Sequence, residues 1–229
     1  MSVAPVGVVI PAFREGDRVA RTVAALRYGG FDGPVVASLV EGDDETIPPT
    51  GAGVTVVFGP AGRGGQMNRG AALLDVGTIL FLHADTAVDP AVAAPLDDRL
   101  RRANAVAGAF TLAFDARGIG YRLAERMVAL RSRWLALPYG DQGLFVRKGA
   151  FDRVGGYPDI PLMEEVALLD RLRRIGRIVI LPERAVTSAR RYAKRGIVRT
   201  TVSNAWTLAA YRMGADPARL YERYYRERA

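Results

Sequence analysis

Thr78-Ile79-Leu80-Phe81-Leu82-His83-Ala84-Asp85-Thr86 is the stretch that decides how the chain is read. Thr78 to Leu82 is a short, continuous apolar run. Its length and β-branched content suit a strand covered on both faces, as in a parallel sheet. The run passes directly into side chains able to bind metal. In open α/β sheets, ligands sit beyond the carboxyl ends of the strands. A carboxylate in that place can hold Mg²⁺ or Mn²⁺ while substrate phosphates supply further ligands. His83 is the only histidine of the chain, and an imidazole facing the ion would favour Mn²⁺. The plain alternative is that Asp85 caps the following turn.

Upstream, the pattern alternates. Pro5 to Ile10 reads as a buried strand ending at Pro11. Asp17 to Leu26 reads as a helix, with Val19, Val23 and Leu26 on one face. Strands follow over Pro34–Val40 and Val54–Phe58, then a glycine-rich loop and a short helix over Gln66–Leu74. This alternation predicts an α/β protein, with a mixed, mostly parallel central sheet flanked by helices. Downstream, helices are expected over Pro90–Arg102, Ile119–Leu137, Met163–Ile175 and Val198–Met213. Strands are expected over Val106–Phe114, as a half-buried alternating element, and over Gly143–Arg147 and Arg177–Leu181. A Tyr- and Arg-rich tail closes the chain. The expected organisation is one domain: a nucleotide-binding half over 1–86, an acceptor-binding half over 87–190 and a C-terminal helical appendage over 191–229.

The 229 residues include no cysteine, which excludes disulfides and thiolate chemistry. Nearly half of them (49%) are hydrophobic, enough for a substantial core. No secretory signal is evident, and no apolar run approaches the ~20 residues that span a bilayer, so a soluble, cytoplasmic protein is expected. The net charge of +8 leans toward anionic partners, whether phosphorylated substrate, membrane surface or nucleic acid; a solvated basic surface is the plain alternative.

Three further clusters bear chemistry. In Gly59-Pro-Ala-Gly-Arg-Gly-Gly, the glycines let backbone N–H groups approach an anion, and Arg63 and Arg69 offer guanidinium forks to phosphate. The loop fits neither the P-loop nor the dinucleotide fingerprint, and by itself reads as a flexible turn. Glu164 and Glu165 fall in the first turn of a helix, where the dipole favours ionised carboxylates. Such a group can take a proton from a hydroxyl or merely stabilise the helix. Asp141-Gln142 either binds a substrate hydroxyl or closes a turn.

Taken in order, these segments resemble family 2 glycosyltransferases of the GT-A fold. Pro11-Ala12-Phe13-Arg14-Glu15 resembles that family's opening Pro-Ala-Tyr-Asn-Glu. His83-Ala84-Asp85 stands in the place of its Asp-X-Asp metal motif, and Glu164-Glu165 in the place of its Glu-Asp pair. The chain is most similar to the radical-SAM/selenodomain-associated "transferase 2" branch. That similarity runs through Gly62–Ala71, Phe81–Thr86, Gly140–Arg147, Gly155–Glu164 and Thr187–Arg191, and so covers nearly the whole chain. There are departures: Arg14 for Asn, the loop Glu41-Gly-Asp-Asp-Glu-Thr46 for a longer acidic one, His83 for the first metal-motif acid, and Glu165 for an Asp.

The resemblance implies a metal-dependent inverting transferase using Mn²⁺ or Mg²⁺ on Asp85. A UDP- or GDP-sugar would lie near Pro11, Ala12, Phe13, Glu15, Glu41 and Gln66. His83, Ala84, Arg63, Arg190 and Arg191 would complete its site. Glu165 is the implied base, with Glu164 its competitor, and Asp141 and Gln142 would hold a small-molecule or lipid-linked acceptor. Two rivals stand beside this reading. A nucleotidyltransferase would carry its glycine loop directly after the first strand, where Pro11-Ala-Phe-Arg-Glu stands instead. A non-catalytic basic module would use the arginines and aromatics of residues 190–229 for a membrane surface or single-stranded nucleic acid. That tail reads first as a packing helix, then as a peripheral membrane contact. A homodimer contact or a lid over the acceptor is a further use, and nucleic acid is set aside for want of any recognition motif.

Overall fold

The computed structural model describes residues 4–135, 137–138 and 140–226, the side chains at 4, 133–135, 191 and 226 excepted. Residues 4–81 alternate as the sequence predicts: β1 (Ala4–Ala12), α1 (Arg18–Tyr28), β2 (Val35–Val40), β3 (Val54–Gly59), α2 (Arg63–Ala72) and β4 (Val76–Phe81). Then come β5 (Thr86–Val88), α3 (Pro90–Ala93), α4 (Leu96–Arg102), β6 (Ala105–Phe114) and α5 (Ile119–Leu135). A 3₁₀ turn at Gly140–Gln142 leads to β7 (Leu144–Arg147), α6 (Lys148–Arg153), α7 (Glu164–Arg173) and β8 (Arg177–Thr187). The chain ends in α8 (Arg190–Arg195), α9 (Ile197–Arg212) and α10 (Pro217–Arg226).

Among the described residues the strands form one sheet in the order β3-β2-β1-β4-β7-β6-β8-β5. β3, β2, β1 and β4 run parallel; β7 is antiparallel to β4 and β6, and β5 to β8. Side chains alternate across the sheet as a strand requires. Val8 and Ile10 join Val19, Val23 and Leu26 of α1 and Leu96 and Leu100 of α4 on one face. Val9, Ile79 and Phe81 join Met67 of α2, Phe151 of α6 and Leu169 of α7 on the other. The strand order folds back beside β1 and β4, so a crevice opens beyond their carboxyl ends.

Four expectations need correction. The helix expected over Pro90–Arg102 is broken into α3 and α4, because Pro95 removes an amide at the junction. The last three residues of the glycine-rich loop are helix: α2 begins at Arg63, and only Gly62, with φ 136°, needs glycine's freedom. β6 is buried on both faces rather than half-buried, since it lies inside the sheet between β7 and β8 with helices packed over it. β8 continues six residues beyond Leu181, through Pro182, because its register against β6 shifts there (Ala109↔Ile180, then Thr111↔Arg184). A bulge is where a strand tolerates proline.

Candidate functional site

A cavity of about 790 Å³ occupies the crevice. Its floor is the end of β1 (Pro11, Ala12, Phe13, Glu15) and the segment after β4 (His83, Ala84, Asp85). The first turn of α2 enters from one side with Gly62, Arg63 and Gln66, and Glu164 opens α7 beside it. Asp141 comes from the 3₁₀ turn. Ser188, Arg190, Tyr192, Lys194 and Arg195 come from the end of β8 and from α8, and Tyr221 and Tyr225 from α10. Residues that stand far apart in the sequence thus converge where the sheet topology predicts a ligand.

Two loops hold the floor. Arg14 adopts φ 56°, and its N–H donates to Asp43 Oδ2 at 2.8 Å. The Glu15 N–H donates to Thr46 Oγ1 (3.1 Å), whose hydroxyl donates to the same Asp43 oxygen at 2.5 Å. Burial alone would raise the proton affinity of Asp43, but the donations from Thr46 and from the backbone outweigh it, and the carboxyl is held below its usual range. The acidic loop Glu41–Thr46 therefore works as a clamp on the β1 end. Glu41 itself is exposed at the end of β2 and is not among the cavity walls. Glu15 meets Arg18 Nη1 at 2.8 Å.

Three more residues expected at the site are tied to the surrounding fold, Gln66 while also lining the cavity. Gln66 is buried, and its amide donates to Ala12 O (2.9 Å) and Ser38 O (2.8 Å), tying α2 to β1 and β2. Gln142 is fully buried; it accepts from Ser132 Oγ and donates to Phe110 O, each at 2.9 Å, so it braces α5 and β6 rather than facing an acceptor. Arg69 donates to Leu39 O (3.1 Å) and lies against Gly59, which leaves no room there for a Cβ. Arg63 alone of the two α2 arginines reaches the cavity.

The ionisable centre lies where β4, α2 and α7 meet. Met163, with φ 69°, turns the chain so that Glu164 and Glu165 open α7. Arg63 Nε lies 3.6 Å from Glu164 Oε1, and its Nη1 lies 3.4 Å from Glu165 Oε1. Burial between these two carboxylates would lower the arginine's proton affinity, but their charge raises it. Glu165 Oε2 accepts the Gly140 N–H at 2.9 Å, and Oε1 faces His83 Nε2 at 3.4 Å. Burial opposes its charge, yet His83, Arg63 and the Gly140 amide together hold its pKa down to about 2. Glu164 is moved the other way: burial, helped by the neighbouring Glu165, outweighs Arg63 and raises it. Two adjacent carboxyl groups thus differ in proton affinity, the arrangement by which acid and base roles are divided.

Asp85 is partly exposed on the cavity wall, and its carbonyl accepts the Ser188 N–H at 3.2 Å, fastening β8 to the β4 loop. Among the described residues no three His, Asp or Glu side chains form a metal cage. Any ion here would draw most of its ligands from substrate and water. Arg190 lines the cavity, whereas the side chain of Arg191 lies outside the described residues. Lys194, Arg195, Tyr192, Tyr221 and Tyr225, walls that the sequence offered only through the alternative of a lid formed by residues 190–229, were not singled out as site residues. The signal available was their density of charge and aromatic rings, but nothing local shows that α8 and α10 fold back over the crevice.

No protein-family model matches the chain, and no curated protein does. Solved structures do resemble it. The structure of TarS residues 1–349 from S. aureus aligns at 12% identity and TM-score 0.55, over 81% of this chain and 60% of that one. The same protein in complex with UDP-GlcNAc aligns at 12% identity and TM-score 0.57, over 80% and 58%. In complex with UDP it aligns at 14% and 0.60, over 80% and 60%. The chain spans about three-fifths of the length of these structures. The likeness shows the fold: α/β, with a mixed sheet flanked by helices, of the GT-A type.

Proposed function

We propose that this chain is a glycosyltransferase that moves a sugar from a nucleotide-diphospho-sugar to a hydroxyl acceptor with inversion at the anomeric carbon. The observation that carries the reading is the pairing, within one cavity beyond β1 and β4, of Asp85 on one wall with the Arg63–Glu164–Glu165 cluster on another. A UDP-linked donor is favoured over a GDP-linked one because similarly folded TarS structures hold UDP-GlcNAc and UDP. By its motifs we place the chain nearest the "transferase 2" branch named above.

An oxygen donor on the wall of an open, polar cavity suits Mg²⁺ or Mn²⁺, which bind through one or two carboxylates together with phosphate oxygens. Asp85 would hold the ion, and a bound ion would supply positive charge for the departing diphosphate. The chain's own groups do the rest. The nucleotide rests against Pro11, Ala12 and Phe13, while Arg190, Lys194 and Arg195 bring positive charge to the phosphates. The acceptor oxygen gives its proton to a carboxylate as it bonds to the anomeric carbon. The bond from that carbon to the diphosphate breaks, and nucleoside diphosphate leaves.

We assign the proton to Glu164 rather than Glu165. In support, Glu164 is on the cavity wall and its proton affinity is raised toward the working range of a base. Glu165 has both oxygens engaged and a depressed pKa. In this reading Glu165 positions Arg63 and His83. The test is product analysis with UDP-sugars and Mn²⁺. Nucleoside diphosphate release supports glycosyl transfer; release of sugar 1-phosphate, with the nucleotidyl group passed to another acceptor, would replace it with nucleotidyl transfer.

A further inference from the structure

Ile119, Leu123, Met127 and Leu130 recur along α5 at spacings of four, four and three, so they share one face of the helix. Tyr121, Ala124 and Val128 occupy the opposite face and pack into the core. The outer stripe is left in solvent: Ile119 is 92% exposed and the other three are at least half exposed. α9 packs beside α5, with Ile197 so close to Gly120 that a Cβ there would stand 2.7 Å from its side chain. α9 also turns Val198, Val202 and Trp206 outward at spacings of four. Two adjacent helices with exposed apolar stripes are more than the scattered hydrophobic residues of an ordinary surface.

The charge around these stripes is mainly basic, with exposed Asp115 and Glu222 the acids near them. From Arg184 to Ala215 the chain contains no Asp or Glu. Exposed Arg199 borders the α9 stripe, and Arg223 lays its guanidinium 3.6 Å from the Trp206 ring centroid. Exposed Arg117 and Arg126 border the α5 stripe. The single acid of α5, Glu125, is turned inward, bonded to Arg122 and to the Phe114 N–H. Apolar faces rimmed by arginine, on helices not long and apolar enough to cross a bilayer, are the makeup of an element lying in the membrane interface.

We propose that the outer faces of α5 and α9 dock this protein on an anionic membrane. A second copy of the chain fits the surface less well, because a symmetric contact would set arginine against arginine. An anionic headgroup layer satisfies the rim while the acyl boundary takes the stripes. Gly196 alone separates α8, which walls the cavity, from α9. Docking would therefore hold the cleft close to the bilayer surface. The proposal does not depend on which reaction the cleft performs.

The test is co-sedimentation of the whole chain with phosphatidylcholine vesicles, with and without phosphatidylglycerol. Two double variants, Leu123→Gln/Met127→Gln and Arg126→Gln/Arg199→Gln, are compared with the parent, and circular dichroism confirms their helical content. Binding to the anionic vesicles that salt weakens, and that each variant reduces by about tenfold or more, is the expected result. Equal binding of parent and variants, or no binding to anionic vesicles, would overturn the proposal. So would a dimer in sedimentation equilibrium that the Leu123/Met127 variant dissolves. Donor-dependent thermal stabilisation is measured in parallel. It is expected to persist in both variants, so failure to dock is separable from failure of the cleft.

Discussion

His83 Nε2 stands 3.4 Å from Glu165 Oε1, linking the segment after β4 to the first turn of α7. The sole histidine, which sits where the resemblance puts a metal-motif acid, thus has a carboxylate partner of its own. Gly140 completes the arrangement through its N–H. A Cβ at position 140 would strike the Glu165 carboxylate and come within 2.6 Å of His83 Nε2. Gly140→Ala should therefore push the pair apart. An overpacked contact of this kind costs about 2 kcal/mol, or roughly 4–8 °C of melting temperature at this chain length. Calorimetry checks it, and an unchanged melting temperature would mean that the pair yields freely.

Asp85→Ala removes the carboxylate expected to hold the divalent ion, while leaving the carbonyl that accepts the Ser188 N–H. The fold should survive. Metal stabilisation of a leaving group is worth several kcal/mol, so donor turnover should fall by about a hundredfold or more. Nucleoside diphosphate release with and without Mn²⁺ measures it. Unchanged, metal-dependent turnover would take the ion away from residue 85.

The pH dependence of transfer separates the two glutamates. With Glu164 as base, the acid limb of the rate profile follows a carboxyl raised above its ordinary value. With Glu165, activity would persist far lower, toward about pH 2 or to the point of unfolding. Glu164→Gln should reduce the rate by roughly 10²–10⁴ with donor binding kept, the range for loss of a general base. A profile whose acid limb stays put in Glu164→Gln would point back to Glu165.

Stability should respond to acid through the same pair, with opposite signs. The folded-state pKa of Glu165 is depressed to about 2. Its contribution is present above the ordinary carboxylate range and is lost as the pH falls through that value. Glu164 is raised, so folding gains from its protonation as the pH falls through its elevated value. Glu165→Gln should therefore make the decline in stability below about pH 4.5 shallower than in the parent. Denaturant melts at stepped pH test this; an unaltered slope would mean that Glu165 carries no such linkage.

What the sequence made legible was whatever repeats at a fixed period or ends at a fixed sign. The β1–β4 alternation and the carboxylate after Leu82 are of that kind, because strand length and polarity are local properties. β5 was not legible: three residues are too few to show alternation. β8 was cut at Leu181 because proline ordinarily ends a strand, and only its pairing with β6 reveals the register shift that accommodates Pro182. Gln66 and Gln142 looked like ligands because an amide in a motif can bind either a substrate or the backbone. The backbone carbonyls of Ser38 and Phe110 and the hydroxyl of Ser132 hold these amides, although Gln66 also lines the cavity.

The tail is where tertiary structure adds most. Leu220 of α10 is buried with Leu162 and Ala210, so the helix is anchored on α9 and on the segment preceding α7. That anchoring brings Tyr221 and Tyr225, with ring centroids 4.3 Å apart, to the cavity wall. Paired aromatic faces there suit the apolar face of an acceptor better than a diphosphate. Tyr221→Ala/Tyr225→Ala should weaken acceptor use by about tenfold, from the 0.5–1.5 kcal/mol that an aromatic contact contributes. Donor hydrolysis in the absence of acceptor should change little. The comparison of transfer with hydrolysis is the measurement. An equal loss in both would mean that the two tyrosines serve the donor, or only hold α10 in place.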